Sequence, residues 1–345
     1  MSPIKIIESG TLTTIQDTGR YGYQKFGMPV AGAMDKFSLR AANSLVGNEQ
    51  TEAALEFTIS GPKMKFISAS VVAITGGNFT PYLNECQMPA WQSFFVPEDS
   101  VLEIKSSSTG IRGYIAFEGG VKADQVLGSK STYLQAKLGG YRGRKLKKND
   151  IVKLEKEAKS RKYYERIFPE DFIPDIREDM RVRVILGPQE NHFSERGIET
   201  FLNEKYSITS SSDRMGYRLK GAEIEHQNEA CSNIISDGIP PGAVQVPGHK
   251  NPIIMLADRQ TTGGYPKIAT ISSVDLDRLA QLKAGDKVHF SQINLETAHG
   301  LLKEREKAFE NIEEKKISGI RDRYYRIEIA NKFSYKVKVE ELEDN

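Results

Sequence analysis

Short apolar runs that end at turn-forming residues recur along most of the chain. Each run is rich in Val, Ile, Leu or Phe and is bounded by Gly, Pro, Asn or Asp, which is typical of β-strands. The clearest of these predicted strands are residues 71–75, 101–105, 112–117, 181–186, 252–257 and 287–290. The pattern therefore predicts a mainly β protein.

A similar turn occurs three times. Residues 97–101, 148–152 and 284–288 read P-E-D-S-V, K-N-D-I-V and A-G-D-K-V, and each places turn-forming residues directly before a strand. Because the turn occurs in both halves of the chain, it suggests two related domains.

Helices are few in this pattern. Asp35 can cap a helix whose apolar residues, from Phe37 to Leu45, share one face, and Gly47 can end it in a left-handed conformation. A similar short helix is expected after Ser273. Beyond residue 293, apolar residues at helical spacing lie among many Glu and Lys residues, which predicts an amphipathic helix.

Apolar and polar residues alternate over 325–340, near the end of the chain, which predicts a hairpin that turns at Asn331-Lys332.

With 345 residues the chain exceeds the usual size of one hydrophobic core. Residues 156–178 mix charges with two prolines and show no clean periodicity, as a linker does. We expect domains at 1–155 and 179–293, a linker between them, and a docking tail at 294–345.

Charge and composition argue against nucleic acid binding and against a membrane role. The chain has 48 Lys and Arg residues against 46 Asp and Glu, so it lacks the overall positive field that holds a nucleic acid backbone. No apolar run is long enough to cross a membrane, and the first residues lack the apolar core of a signal peptide. We therefore expect a cytoplasmic protein with no nucleic acid or membrane partner.

The two cysteines, Cys86 and Cys231, are far apart in sequence. They have neither C-x-x-C spacing nor nearby histidines, so no disulfide or zinc site is expected. We expect both to be buried as small apolar residues.

The segment from Gly242 to Lys267 carries the densest polar chemistry. A predicted strand delivers Asp258, Arg259 and Thr261 to a loop in which Gly263 and Gly264 allow backbone amides to approach a ligand closely. The alternative is a tight glycine turn with a surface ion pair. His249, on a Pro/Gly loop, is either a solvated side chain or a catalytic group with a suitable pKa.

Two other segments could grip an anion. S-D-R-M-G-Y-R-L-K-G places Arg214, Tyr217 and Arg218 around a glycine, which suits a carboxylate or phosphate. T-I-Q-D-T-G-R supplies Gln16 and Arg20 near the N-terminus. Structural ion pairs, Asx turns and helix caps explain such residues without a ligand.

Two short motifs resemble known functional sites but lack residues that those sites require. G-S-K-S-T at 128–132 lacks the glycine before the lysine that a P-loop requires. P-K-M-K-F at 62–66 lacks the Ala-Met-Lys-Met order of a biotin-attachment site, so we expect no covalent biotin on this chain.

A series of blocks along residues 1–293 resembles the KipA family, also called allophanate hydrolase subunit 2 and the C subunit of 5-oxoprolinase. The blocks are T-I-Q-D-T-G-R-Y-G, G-A-M-D, A-N-S-L-V-G-N, L-E-F-T, G-S-K-S-T, G-Y-R-L-K-G and A-D-R-Q-T-T-G-G-Y-P. The resemblance implies two cyclophilin-like β-barrel domains and kinship with the carboxyltransferase region of urea carboxylase. It also implies a KipI-like partner, the B subunit of 5-oxoprolinase. The loop at 247–251 and the charged tail depart from the family pattern.

The resemblance further implies that the chain joins this KipI-like subunit and the A subunit of 5-oxoprolinase to convert 5-oxoproline, ATP and water into glutamate, ADP and phosphate. A lactam is a stabilised amide, so phosphorylation of its carbonyl oxygen would prepare it for attack by water. Whether ATP, with or without Mg²⁺, binds this chain or a partner stays open. No metal ligand set is assigned.

On this hypothesis, Arg218 and Arg259 hold a carboxylate or phosphate, Asp258 orients a metal or water, and Gln245 and Thr261 bind the lactam. Further candidate binding residues share a polar side chain or a backbone donor near these positions. They are Gln16, Arg20, Arg214, Tyr217, Gly263, Gly264, Tyr265 and Lys267.

Two other functions remain open at this point. The chain could be a carboxyltransferase that acts on carboxybiotin presented by another protein, or a regulator that binds a KipI-like inhibitor of a sensor kinase.

Overall fold

A computed structural model describes residues 3–155, 166–314, 323–329 and 333–339. Over these residues the protein consists mainly of β-strands, with four α-helices. The predicted fold class is therefore confirmed. None of the helices among the described residues is both long and apolar enough to span a membrane.

Twelve strands and one helix lie before residue 155. They are β1 Pro3–Glu8, β2 Leu12–Gln16, α1 Lys36–Val46, β3 Ala54–Thr58, β4 Lys63–Phe66, β5 Ser70–Gly76, β6 Thr80–Leu83, β7 Cys86–Gln87, β8 Ser93–Val96, β9 Val101–Lys105, β10 Arg112–Phe117, β11 Val121–Lys122 and β12 Ile151–Leu154.

The remaining elements lie after residue 178. They are β13 Asp179–Leu186, α2 Glu195–Asn203, β14 Lys205–Ile208, β15 Gly216–Lys220, β16 Asp237–Gly238, β17 Ala243–Gln245, β18 Ile253–Met255, β19 Thr262–Gly263, β20 Lys267–Ile271, α3 Ser273–Leu279, β21 Lys287–Gln292, α4 Leu295–Glu314, β22 Arg323–Ile329 and β23 Phe333–Val339.

The N-terminal half is built from two sheets around one core. The larger sheet has the order β11-β12-β1-β4-β9-β6-β7 and the smaller the order β2-β3-β10-β5-β8. Strands β5 and β10 are buried along their whole length. Val72 and Ile115 face the core between the sheets, while Val71 and Tyr114 face α1. Alternate side chains of a strand point to opposite faces, so two covered faces explain the continuous apolar runs.

The C-terminal half is a closed barrel of seven strands in the order β13-β20-β17-β18-β15-β14-β21. The parallel pair β13–β21, with Asp179 opposite Lys287, closes it. The barrel core is a separate apolar cluster that includes Val182, Phe201 and Val288.

The three predicted turns share one backbone feature. Asp99, Asn149 and Gly285 have φ angles of 62°, 70° and 95°, and β9, β12 and β21 each begin two residues later. Asp, Asn and Gly tolerate the left-handed region better than other residues do, so the prediction of three similar turns is confirmed.

The helix predictions are also confirmed. The Asp35 carboxylate accepts the amide hydrogen of Ser38 at 2.9 Å, and Gly47 ends α1 with a φ of 74°. Helices α3 and α4 occur where they are expected, whereas α2 was not predicted. The hairpin strands β22 and β23 pair, but the predicted turn at Asn331-Lys332 lies outside the described residues.

The domain boundaries at 155 and 179 stay a prediction. Residues 156–165 of the predicted linker lie outside the described residues. The described part contacts the N-terminal half, since Ile167 pairs with Gln92 and Phe168 packs 5.1 Å from Trp91, measured between ring centroids.

The expected burial of both cysteines is wrong. Both thiols are free, Cys86 is exposed and Cys231 is partly exposed. Cys86 lies on the two-residue strand β7 at the edge of its sheet, where β6 is its only partner strand among the described residues, so no second strand of that part of the chain covers it.

Candidate functional site

Loops of the two halves meet next to the G-A-M-D and A-D-R-Q segments. The amide of Ala31 donates to the carbonyl of Ala257 at 3.1 Å. Two glycines allow the N-terminal loops to pack backbone against backbone, because a Cβ on Gly32, whose φ is 87°, would lie 2.7 Å from the nitrogen of Gly19. This close approach requires glycine at both positions.

Arg214 binds the two halves together from the centre of this junction. Its guanidinium donates to both carboxylate oxygens of Asp258 at 3.0 and 3.1 Å, to the Gly32 carbonyl at 2.6 Å, and to Glu56. Burial lowers the pKa of Arg214, but the carboxylates of Asp258 and Glu56 outweigh burial and raise it. The side chain is therefore a structural cation.

Glu56 extends this network into the N-terminal sheet. Its carboxylate accepts the Tyr114 hydroxyl at 2.6 Å and the Met34 amide at 2.8 Å. The side chains of Glu56, Tyr114 and Arg214 are all buried. A fully hydrogen-bonded buried network of this kind fixes the relative position of the loops that carry it.

The G-S-K-S-T segment surrounds Asp17. The Asp17 carboxylate accepts Ser129 Oγ at 2.7 Å, Ser131 Oγ at 2.5 Å and the Lys130 amide at 2.6 Å. It also accepts the Gly19 amide at 2.8 Å. In a P-loop, hydroxyl and amide donors of this kind bind phosphate. Here they bind the carboxylate of Asp17.

Arg20 is a buried cation held mainly by carbonyl groups. Its Nη2 donates to the Ser131 carbonyl at 2.5 Å, and its buried Nη1 has no hydrogen-bond partner. Burial lowers the pKa of Arg20, although Asp17 and Asp258 act in the opposite direction. Within the described residues Arg20 makes no salt bridge, so its guanidinium retains a donor for an anion.

Arg259 has the same character. It is buried, its Nε donates to the Ile239 carbonyl at 2.9 Å, and its Nη1 donates to the Leu256 carbonyl at 3.1 Å. Burial lowers its pKa to about 10, with Tyr21 acting weakly in the opposite direction. No carboxylate pairs with it in the part of the chain that the structure describes.

A second polar group lies at one end of the barrel. Lys267, on β20, is buried, and its Nζ donates to the carboxylate of Asp237 at 2.8 Å. The buried amide of Gln245 donates to the Tyr265 carbonyl at 3.3 Å. Gly263 belongs to the small ribbon β16–β19, where it lies opposite Asp237. Ile239 connects this group to the junction. Its carbonyl accepts Arg259 Nε, and its side chain lies 2.7 Å from the position of a Cβ on Gly263.

Three further sequence candidates flank these groups. Thr261 and Gly264 are partly exposed and Tyr265 is exposed. The carbonyls of Thr261 and Gly264 accept the amides of Ile239 at 3.0 Å and Ile234 at 2.8 Å.

Gln16 is buried behind Asp17. Its side-chain amide donates to the Thr132 carbonyl at 3.1 Å, and its buried Oε1 has no partner. The structure therefore places Gln16, the last residue of β2, beside the segment at 131–132 that Arg20 also contacts.

Two candidates lie elsewhere. The Tyr217 hydroxyl is buried. It accepts a hydrogen bond from Arg112 at 2.6 Å and donates one to the Leu282 carbonyl at 2.9 Å. Arg218 is exposed and donates to the Ser211 carbonyl at 2.6 Å. Tyr217 therefore stabilises the junction, and the structure does not bring Arg218 to the other candidates. His249 is exposed.

Sequence reasoning missed four residues of the junction. Glu56, Ser129 and Ser131 belong to the blocks L-E-F-T and G-S-K-S-T, but the sequence assigned them no role. Tyr133 was not noted at all, although burial and then Asp258 raise the pKa of its hydroxyl. Glu56, Ser129 and Ser131 make their contacts across long sequence separations, which a local motif does not reveal.

The arrangement suits an anionic small molecule. Three buried guanidiniums, Arg20, Arg112 and Arg259, lack a carboxylate partner among the described residues, and Arg20 and Arg259 lie in the loops of the candidate segments. Planar guanidiniums bind carboxylate and phosphate through paired hydrogen bonds. Within the described ranges no group of three or more His, Cys, Asp or Glu side chains is placed to hold a metal ion.

Comparison with known protein families places most of the chain in a carboxyltransferase family. Residues 26–292 match the family described as carboxyltransferase domain, subdomain A and B. The chain is 34% identical to the C subunit of 5-oxoprolinase from Escherichia coli over 311 residues, which cover 90% of this chain and 97% of that protein.

The same region occurs inside much longer proteins. Urea amidolyase of Saccharomyces cerevisiae is 33% identical over 91% of this chain, but the match spans only 18% of that protein. The crystal structure of Kluyveromyces lactis urea carboxylase superposes with a TM-score of 0.86 at 28% identity, over 98% of this chain and 32% of that one.

Proposed function

Because the chain belongs to the carboxyltransferase domain family, together with the C subunit of 5-oxoprolinase, we propose that it is the corresponding subunit of an ATP-dependent 5-oxoprolinase. In this proposal it acts in the cytoplasm with a KipI-like subunit and the A subunit of the enzyme. The complex hydrolyses 5-oxoproline to L-glutamate at the expense of ATP.

The observation that carries the proposal is the extent of the match. The alignment spans 97% of the Escherichia coli 5-oxoprolinase protein, whereas it spans 18% of urea amidolyase. The similarity to the 5-oxoprolinase protein therefore concerns a whole subunit, not one region of a longer enzyme.

The site supports an anionic substrate. 5-Oxoproline carries a carboxylate, and activation of its lactam by ATP places phosphate negative charge on the carbonyl oxygen. Arg20 and Arg259 supply positive charge in a buried setting, where preorganised charge stabilises a developing anion strongly. In this proposal they hold the carboxylate and the transferred phosphoryl group.

The neighbouring residues have supporting roles. Asp258 has both carboxylate oxygens bound to Arg214, so we assign it the positioning of the Arg259 loop, in place of the water-orienting role expected from the sequence. Gln245 and Lys267 present an amide and an ammonium at the adjoining end of the barrel, where they would bind the lactam.

Reconstitution tests the proposal. Purified chain is mixed with the KipI-like subunit and the A subunit, and glutamate formed from 5-oxoproline is measured with and without ATP. We expect glutamate only when all three proteins and ATP are present. Turnover by the partners alone at the same rate would contradict a catalytic contribution of this chain.

A carboxyltransferase is the second candidate, because the superposition on urea carboxylase covers 98% of the chain. Such an enzyme would move a carboxyl group between a biotin carried by a partner and a small amide. Free carboxybiotin and urea supplied to the purified chain distinguish the two functions. Loss of the carboxyl group from carboxybiotin, together with no glutamate from 5-oxoproline, would favour this alternative.

A further inference from the structure

Helix α4 contacts both halves of the molecule. It begins at Leu295, beyond residues 26–292 that match the carboxyltransferase family. It packs against α1 of the N-terminal half and against α3, which follows the barrel strand β20. The helix therefore connects the two halves at a place distinct from the candidate site.

The contact of α4 with α1 combines an aromatic anchor with an ion pair. Phe309 is buried, and its ring centroid lies 5.0 Å from that of Phe37. Arg40 Cζ lies 3.8 Å from the centroid of the Phe309 ring, and its guanidinium donates to both carboxylate oxygens of Glu306 at 2.9 and 2.7 Å. Such a paired contact fixes orientation as well as distance, so α4 has a defined seat on α1.

An arginine makes the contact of α4 with α3. Arg305 Nη1 donates to the Asp277 carboxylate at 2.7 Å and to the Ser273 carbonyl at 3.3 Å. Helix α3 is itself fixed to the barrel, because Asp275 accepts Nε and Nη2 of Arg183 on β13 at 2.8 and 2.5 Å. Arg305 therefore ties α4 to the barrel half.

Asp277 belongs to a buried acidic pair between α1 and α3. Its Oδ1 accepts the amide of Lys36, the first residue of α1, at 2.8 Å. Asp35, which caps the same helix, accepts Gln281 Nε2 at 2.6 Å. Both carboxyls are buried, and neighbouring buried carboxylates need a cation if both are to be ionised.

Arg305 supplies that cation. Lys36 lies beside the pair in sequence, but its ammonium donates to the Tyr21 hydroxyl. Burial raises the pKa of Asp277, and Arg305 opposes this effect more strongly than Lys36 does. Within the described residues, Arg305 is the only side chain that forms a salt bridge with either carboxylate of the pair. The other side chains that contact the pair or its backbone are neutral: Ser38, Tyr114 and Gln281.

The segment that leads into α1 also carries part of the junction near the candidate site. The amide of Ala31 donates to the Ala257 carbonyl at 3.1 Å, and the amide of Met34 donates to the Glu56 carboxylate at 2.8 Å. Arg259 lies two residues after Ala257. A shift at the start of α1 would therefore reach the loop that carries Arg259.

We propose that α4 is a strap that holds α1 of the N-terminal half against α3 of the barrel half, and that Arg305 is the positioning residue on which this contact depends. The seated strap neutralises the acidic pair. Without Arg305 the two carboxylates repel each other, and the start of α1 separates from α3. The strap thereby sets the position of the junction loops, whatever reaction those loops serve.

Hydrogen exchange of the full chain, followed by mass spectrometry above pH 7 where Asp35 is mostly ionised, tests the proposal. Arg305→Gln removes the charge but retains hydrogen-bond donors. We expect amide exchange in residues 31–40 and 273–281 to become about 10-fold faster, because an unpaired buried carboxylate is left between them. Lys303→Gln, at an exposed position of the same helix, is the matched control and should leave both segments unchanged.

A second substitution separates charge from packing. Asp277→Asn retains an acceptor for the Lys36 amide but removes the charge that Arg305 balances. The double variant with Asp277→Asn and Arg305→Gln should therefore regain slow exchange in both segments.

Unchanged exchange in the Arg305→Gln variant, or faster exchange confined to α4, would overturn the strap. Fast exchange that persists in the double variant would overturn the role of Arg305. If Arg305→Gln does not fold, recovery of folded protein in the double variant supports that role, and a double variant that is equally unfolded overturns it.

Discussion

Of the four arginines buried at the junction of the two halves, Arg112 donates to the Tyr217 hydroxyl, and the other three differ in their partners. Arg214 is neutralised by Asp258 and Glu56, so it holds the structure together. Arg20 and Arg259 donate to backbone carbonyls and make no salt bridge within the described residues. Burial of a cation without an acidic partner is costly, and in the proposed function the anionic substrate offsets that cost.

Arg259→Gln tests the catalytic importance of this charge. We expect ATP-dependent glutamate formation by the complex to fall about 100-fold, because a neutral amide does not stabilise a developing anion as a guanidinium does. The Tm should change little. Arg196→Gln on the exposed face of α2 is the matched control, and equal loss of activity in both variants would contradict the assignment.

Asp258→Asn should affect stability first. The substitution removes one of the two carboxylates that neutralise Arg214, and breaking a buried ion pair typically costs about 3 kcal/mol or more. Urea unfolding measures the difference. A change below about 1 kcal/mol would show that Glu56 alone satisfies Arg214.

At the scale of elements, the strands and turns were the most predictable from the sequence. The run at 101–105 and the run at 112–117 match β9 and β10 in full, because short apolar runs and turn residues act locally. Helix α2 was not predicted, although Ile198, Phe201 and Leu202 have helical spacing and pack against the barrel core. The helix has only nine residues, and Gly197 near its start lowers the local helix propensity.

Alanine substitutions at two helix glycines, Gly197 and Gly300, should change the stability of the protein in opposite directions. A Cβ on Gly197 in α2 would lie 2.2 Å from the Glu225 carbonyl oxygen, whereas Gly300 in α4 has nothing within 4 Å of that position. We expect Gly197→Ala to destabilise the protein by about 2 kcal/mol, since the clash exceeds the gain in helix propensity.

Gly300→Ala should instead stabilise the protein by up to about 1 kcal/mol. Thermal unfolding of both variants checks the pair. The same sign for both would mean that propensity, and not the contact with Glu225, decides the effect at Gly197.

The candidate site was only partly predictable. Arg20, Asp258 and Arg259 were identified because charged residues beside turn glycines stand out in a sequence. The sequence did not show that Arg214 would neutralise Asp258, nor that Ser129 and Ser131 would hold Asp17. These contacts span 44, 112 and 114 residues, and only the assembled fold brings the partners together.

At the scale of the whole molecule, a buried carboxyl pair links the two halves. Asp35 caps α1 and accepts Gln281 Nε2 at 2.6 Å, and Asp277 on α3 accepts the Lys36 amide at 2.8 Å. Arg305 of α4 donates to Asp277 at 2.7 Å. Burial, and secondarily Asp277, raises the pKa of Asp35 from 3.8 to about 7.

This pair should make stability depend on pH. A carboxyl whose pKa is higher in the folded protein than in the unfolded chain favours folding when protonated. Its stabilisation is full below the unfolded pKa of 3.8 and is lost as the pH rises through about 7. We expect the Tm to fall by several degrees between about pH 4 and pH 7 from this group.

Asp35→Asn retains the helix cap but does not titrate, so it should flatten this part of the profile. Scanning calorimetry across the pH range makes the comparison. A profile as steep as that of the unaltered chain would assign the dependence to other groups.

The central claim is that this chain is a working component of an ATP-coupled lactam hydrolase. The most direct test follows ADP and glutamate together in single reactions of the two partner proteins with 5-oxoproline and ATP, before and after addition of this chain. We expect the two products to appear in equal amounts only after the addition. Glutamate formed without ADP, or ADP formed at an unchanged rate with no glutamate, would contradict the claim.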